Sequence, residues 1–317
     1  MSDEKKPKYI NPLTDFGFKR IFGTEANSDL LMDFLNCMLP LKSPIAKITY
    51  KNVEQIPNLE DDRKVIYDLF CVDEEGNELI IEMQKARLTY FRDRSLFYLT
   101  FPIQSQSVRG SWNFKLSPIY YLSLLDFYYE PEHTALLERE VQLKDQQNEV
   151  FYPKLFLKYV QLPVFQKAET ELSDRKEQWL YYLKHLEEME QIPQIFKSDK
   201  IFIKGLKIAE IAALSEPEFQ TYQLSRMQYL EIRGVVETAY DEGILDAEKK
   251  YIPLLTEAQE IAEEERRQKE EERRQKELLF QKQRKLILKM LSEGESQANV
   301  AAFFEISEAE LAEIIKE

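Results

Sequence analysis

Val65-Ile66-Tyr67-Asp68-Leu69-Phe70-Cys71-Val72, then Asp73-Glu74-Glu75-Gly76-Asn77-Glu78, then Leu79-Ile80-Ile81-Glu82-Met83-Gln84 is the stretch on which the fold turns. Both apolar runs are rich in β-branched and aromatic residues, and the gap between them holds turn formers. That pattern predicts two strands joined as a hairpin. A turn centred on Glu75 sets Cys71 across from Leu79 and, further along, Asp68 across from Glu82.

Directly opposed side chains in an antiparallel pair have Cβ atoms about 4.5–5.5 Å apart, where two like charges destabilise the sheet. The neighbouring residues are apolar, so desolvation adds to that cost unless the acids are protonated, hydrogen-bonded or bound to a cation. Strand alternation puts Gln84 on the face of Glu82 and turns Met83 the other way. A different reading makes the hairpin amphipathic, with these residues on one solvated face. Against it, isoleucine, tyrosine and phenylalanine occupy both parities of the two runs.

An Asp and a Glu separated by a hairpin, with a polar side chain two residues later, resemble the PD-(D/E)XK nuclease superfamily. Within it, the chain more closely resembles the bacterial family of recombination-promoting nucleases, which are also described as transposases. The matching residues are Asn11-Pro12-Leu13-Thr14-Asp15-Phe16-Gly17-Phe18-Lys19-Arg20-Ile21-Phe22-Gly23, the hairpin, and residues 94–98. The resemblance implies an α/β fold, a restriction-endonuclease-like mixed sheet flanked by helices, followed here by a helical C-terminal region. It further implies a divalent metal on Asp68, Glu82 and the main-chain carbonyl of Met83, with Gln84 positioning water. An acidic residue from the first helical region joins such sites, and Asp15 is the match. The other reading of Asp15 is an N-cap for a helix starting at Phe16.

Two positions depart from the superfamily pattern. Tyr67 stands where its name has Pro, a position that supplies no metal-binding atom. Gln84 stands where the name has Lys, and a neutral amide can orient water but brings no positive charge. Lys85 and Arg87 are the basic neighbours, with Lys85 expected on the opposite face. The activity implied is that of a metal-dependent endonuclease hydrolysing DNA with low sequence specificity, linked to recombination or mobile elements. The rival readings are a catalytically weak or inactive DNA-binding or regulatory protein on the same scaffold, and a structural adaptor.

A formal net charge of −14 opposes nucleic-acid binding until its distribution is considered. Residues 1–115 carry 16 basic and 17 acidic side chains, so the excess acid lies in the rear of the chain. Between 82 and 115, Lys85, Arg87, Arg92, Arg94, Arg109 and Lys115 face only Glu82 and Asp93, with Tyr90, Phe91, Phe97, Tyr98, Phe101 and Trp112 interleaved. Such a stretch suits DNA phosphates beside the hairpin, whereas the aromatics read as core. Arg94, four residues from Tyr98 on one helix face, is the expected phosphate contact. Pro102 is expected to kink or end that helix near Phe101.

Two histidines, His133 and His185, leave too little for a multi-histidine centre, so an oxygen-ligand site points to Mg²⁺ or Mn²⁺. Cys37 and Cys71 lie in apolar segments without metal spacing and read as core thiols of a reducing, cytoplasmic protein. No run has the length of a membrane span, and the opening residues lack a signal-peptide core, so no membrane partner is expected.

Along the chain the expected units are a nuclease domain over 1–165, a helical region over 166–250, a charged spacer helix over 251–283 and a small helical module over 284–317. Within the first, a helix is expected over 28–39, a buried strand over 118–127, and one or two strands over 150–164. Asp126 reads as a strand-end polar residue. The spacer carries an identical heptad twice, Glu263-Glu264-Glu265-Arg266-Arg267-Gln268-Lys269 and Glu270-Glu271-Glu272-Arg273-Arg274-Gln275-Lys276. Its acids precede bases by four residues, which supports an isolated helix, and no position of either repeat is apolar, so the repeats lack a coiled-coil seam. The last module resembles a helix-turn-helix, with a capping box at Ser307 and Glu310. Its final helix is acidic, which favours homo-oligomer or protein contacts over DNA.

Overall fold

A computed structural model describes residues 7–55, 65–107, 113–130 and 135–316. Arg109, Trp112 and His133 lie outside the described residues. The chain forms two compact units, Met1–Thr238 and Ala239–Glu317.

In the first unit, α1 (Asp15–Phe22) and α2 (Ser28–Met38) precede short strands β1 (Ile48–Tyr50), β2 (Glu54–Gln55) and β3 (Val65–Ile66). Then come β4 (Leu69–Asp73), β5 (Glu78–Gln84), α3 (Phe91–Ser105) and β6 (Ile119–Leu125). An edge hairpin of β7 (Glu138–Lys144) and β8 (Val150–Gln161) follows, and then α4 (Arg175–His185) and α5 (Lys200–Ala209). The last element is α6 (Glu216–Ser292), which belongs to this unit as far as Thr238. The main sheet is mixed, in the order β1-β4-β5-β6-β8-β7; β5, β6 and β8 run parallel and the flanking pairings are antiparallel. This is the expected α/β architecture of a sheet flanked by helices.

The hairpin register is the one its turn predicts, with Leu69 opposite Ile81 and Cys71 opposite Leu79. Gly76 permits the turn through a φ of +81°. Both faces of β5 are covered. Leu79, Ile81 and Met83 pack into the layer of α1, α2, α4 and α5, while Ile80 joins the layer formed with Phe91 and Leu99 of α3. Parallel strands buried on two faces read as near-continuous apolar runs, as β5 and β6 do. The amphipathic alternative for the hairpin is thereby excluded: Glu82 is 2% exposed and Gln84 7%.

Two sequence expectations are corrected. The run 65–72 is not one strand: β3 pairs with β2 in a separate two-stranded sheet, and the main sheet resumes at Leu69. Tyr67 and Asp68 form the break, with Tyr67 buried in the α3 layer. Pro102 does not end α3, which continues to Ser105. Proline at 102 removes the N–H that would bond the carbonyl of Tyr98, and the Tyr67 hydroxyl donates to that carbonyl instead at 2.8 Å. Trp179, Leu183, Phe202 and Tyr222 share one core with the sheet and the first two helices.

In the second unit the remainder of α6 is followed by α7 (Gln297–Phe303) and α8 (Glu308–Lys316), packed around Ile287, Val300, Ala301 and Leu311. The capping box forms: Ser307 N–H donates to Glu310 Oε2 at 2.8 Å and Glu310 N–H to Ser307 Oγ at 3.2 Å. The duplicated heptads are helical and exposed, with a Glu263–Arg267 ion pair at 3.8 Å.

The Tyr67–Tyr98–Pro102 arrangement predicts a thermodynamic coupling. Tyr67→Phe is expected to cost about 1–2 kcal/mol in chemical denaturation by leaving a half-buried carbonyl without a partner. In a Pro102→Ala background the helix regains its own N–H, and the cost should fall by at least half. Equal costs in both backgrounds would refute the compensation.

Candidate active site

Asn11 and Thr14 build the turn that leads into α1. Leu13 N–H donates to Asn11 Oδ1 at 2.8 Å, the Thr14 hydroxyl donates to the Asn11 carbonyl at 2.7 Å, and Gly17 N–H donates to Thr14 Oγ1 at 3.0 Å. Gly17 is required by this packing, since a Cβ there would sit 2.0 Å from the Asn11 carbonyl oxygen. Thr14, not Asp15, is therefore the N-cap. Asp15 occupies the first helical position, pairs with Lys19 at 2.8 Å, and lines a cleft of about 320 Å³.

The cleft opens at the broken end of the hairpin. Asp68, Glu82, Met83, Gln84, Lys85 and Arg94 line it together with Asp15. Where the β4–β5 ladder stops, side chains take over its hydrogen bonds. Met83 N–H donates to Asp68 Oδ2 at 2.6 Å, and Asp68 N–H donates to Glu82 Oε1 at 3.3 Å. Gln84 Nε2 donates to Glu82 Oε2 at 3.0 Å. Arg94 reaches from α3, donating to Gln84 Oε1 at 3.4 Å through Nη1 and to the Tyr98 hydroxyl at 3.0 Å through Nε. Its guanidinium lies 4.9 Å from the Tyr98 ring centroid.

Two acids this close in a buried place resist ionisation. Burial pushes the Glu82 carboxyl well above the usual range and the charge of Asp68 adds to the effect, while Arg94 opposes it. Burial also raises Asp68, against the Met83 N–H that favours its charged form; Asp15 adds to the rise, and Lys19 and Lys85 oppose it. Lys19, four residues after Asp15, is the charged neighbour that sequence reading passed over. Its signal was the helical spacing to Asp15.

Lys85, just beyond the end of β5 at Gln84, also lines the cleft. Arg87 is exposed on the following loop, outside the lining. Asp126, after β6, accepts from the Tyr229 hydroxyl at 2.6 Å, a structural role consistent with its place at a strand end. Among the described residues no three side chains of His, Cys, Asp or Glu gather as a metal-binding group. The donor set of Asp68 and Glu82 is nonetheless all hard oxygen, which suits Mg²⁺ or Mn²⁺ completed by main chain and water.

The mixed sheet and its flanking helices define a PD-(D/E)XK-like α/β protein. The family described as PD-(D/E)XK nuclease family transposase matches residues 12–239, nearly the whole first unit, and the chain belongs to that family. No curated protein and no solved structure matches the chain. Among the described residues no helix is long and apolar enough to cross a membrane.

The cost of the buried acids is measurable without any assay of activity. Because the Glu82 carboxyl is raised on folding, its ionisation opposes folding at pH values above the ordinary glutamate value of 4.5. Glu82→Gln should therefore raise the melting temperature of chelator-treated protein at pH 7. The gain should shrink as pH falls toward 4.5. A variant less stable than wild type at neutral pH would contradict this electrostatic account.

Proposed function

We propose that the first unit hydrolyses phosphodiester bonds of DNA, as a metal-dependent endonuclease of low sequence specificity acting in the cytoplasm on recombining or mobile DNA. The observation that carries this reading is the juxtaposition of Asp68 and Glu82 at the floor of a cleft whose walls bring Lys85 and Arg94. Asp68 and Glu82, with the Met83 carbonyl, would hold Mg²⁺ or Mn²⁺. A divalent ion so held lowers the pKa of water and offsets negative charge on the phosphate. Gln84 orients that water through its amide. Arg94 and Lys85 bind backbone phosphate, and Arg87 extends the same basic strip. Asp15 sits at the rim, where it tunes the field at Asp68.

A second reading keeps the scaffold and its DNA binding but not efficient cleavage. One observation favours it: Gln84, in the Lys position of the superfamily, spends its amide N–H on Glu82. Plasmid cleavage with Mg²⁺ or Mn²⁺ separates the two. Wild type should nick or linearise plasmid, and Asp68→Ala and Glu82→Ala should each lower the rate by about 100-fold or more. Arg94→Ala should weaken DNA binding and reduce the salt dependence by about one phosphate contact. Equal cleavage by all the proteins rejects the site. Binding without cleavage, converted to cleavage by Gln84→Lys, establishes the scaffold reading.

A further inference from the structure

Residues 239–279 are helical and exposed throughout, in an otherwise highly charged stretch of α6. One line along this helix is nevertheless apolar. Ile244, Ala247, Tyr251, Leu254, Ala258 and Ile261 follow one another at alternating spacings of three and four residues, the a and d positions of a heptad. The larger four are 41%, 54%, 55% and 56% exposed, so no described residue of the unit covers them. Pro253 falls at an outward position of the same frame, within the continuous helix.

We infer that this seam joins two copies of the chain as an antiparallel helix pair, a contact independent of the nuclease reading. In antiparallel pairing an a residue packs beside a d residue of the other helix. The frame then sets Tyr251 beside Leu254 of the second copy, Ala247 beside Ala258, and Ile244 beside Ile261, so that large meets large and small meets small. Charge selects the same arrangement. Lys250 and Glu257 flank the seam at g positions, and antiparallel copies place each near the other twice over.

Parallel copies lose that pairing and gain a conflict. They would set Lys250 near Leu255 and Glu257 near Ala262, leaving both charges without partners across the seam. The heptad frame continues into the duplicated repeat, where Glu265 and Glu272 take a positions and would meet their own copies. A second copy in antiparallel orientation is thus the occupant whose size and charge pattern fit the exposed line.

Sedimentation velocity and light scattering of the full chain test the contact. Wild type is expected to be a dimer in reversible equilibrium with monomer. Ile244→Asp and Leu254→Asp, both at exposed positions, should each raise the dimer dissociation constant by about 100-fold by forcing a charge into the seam, with helix content unchanged by circular dichroism. Arg267→Glu, outside the seam, should leave the dimer intact. For orientation, Ile244→Cys and Ile261→Cys copies mixed under mild oxidant should cross-link to each other, while each alone and wild type should not. A monomer at every concentration, or a dimer indifferent to both Asp variants, overturns the inference. Cross-linking of Ile244→Cys to itself overturns the antiparallel arrangement.

Discussion

Two carboxylates exchange main-chain hydrogen bonds across the open end of a hairpin, and the geometry of the cleft depends on that exchange. The Met83 N–H donates to Asp68, and the Asp68 N–H donates to Glu82. Each acid is therefore held by the backbone of the segment that carries the other. The last bonds of the ladder have been transferred from carbonyls to side chains, which keeps the strands together where β4 has ended. Charge-assisted bonds of this kind are stronger than neutral ones and partly offset the mutual repulsion of the acids. Replacing either acid with an apolar residue leaves an N–H in need of a partner, so the pair has a structural role of its own.

The helix above the site is tied to the same break in the strand. Tyr67 precedes Asp68 and, because the strand is interrupted there, its side chain enters the layer under α3. Its hydroxyl takes the Tyr98 carbonyl that Pro102 leaves without an intrahelical donor. Tyr98 in turn supports Arg94 through its own hydroxyl and ring. A proline that reads in isolation as a kink or end of the helix is thus accommodated by a residue more than thirty positions away, and the accommodation also fixes the helical turn that carries Arg94.

Much of the fold was legible because the information is local. The hairpin register follows from the turn residues around Gly76, the burial of both faces from the parity of apolar residues, and the capping box from Ser307 and Glu310. What was not legible depends on distant partners. Neither the break at Tyr67 nor the continuity of α3 can be seen without knowing that the two meet. Strand β7, Glu-Arg-Glu-Val-Gln-Leu-Lys, was overlooked because as an exposed edge it carries more charge than apolar residues, the means by which edges avoid unwanted pairing. Asp15 was read as a possible cap because Asp is a good one, but Thr14 lies one residue earlier and holds the turn from Asn11 to Gly17. The close grouping of Asp68, Glu82 and Gln84 follows from the hairpin register and the strand period, whereas the place of Lys85 in the cleft lining depends on where the strand stops.

The glutamine at 84 changes where positive charge resides. In this chain Glu82, Gln84 and Arg94 form a relay: the amide donates to the carboxylate, and the guanidinium donates to the amide oxygen at a longer distance. The cation has moved from the strand to α3, one polar side chain away from the acid it favours in ionised form. A guanidinium remains protonated throughout the working range of pH and cannot take a proton from water. On the proposed reading, Arg94 therefore serves the phosphate and the electrostatic balance, and activation of water rests with the carboxylates and whatever ion they hold. That division requires Arg94 to be placed accurately, and the contacts from Tyr98 back to Tyr67 supply this placement from the residue beside Asp68.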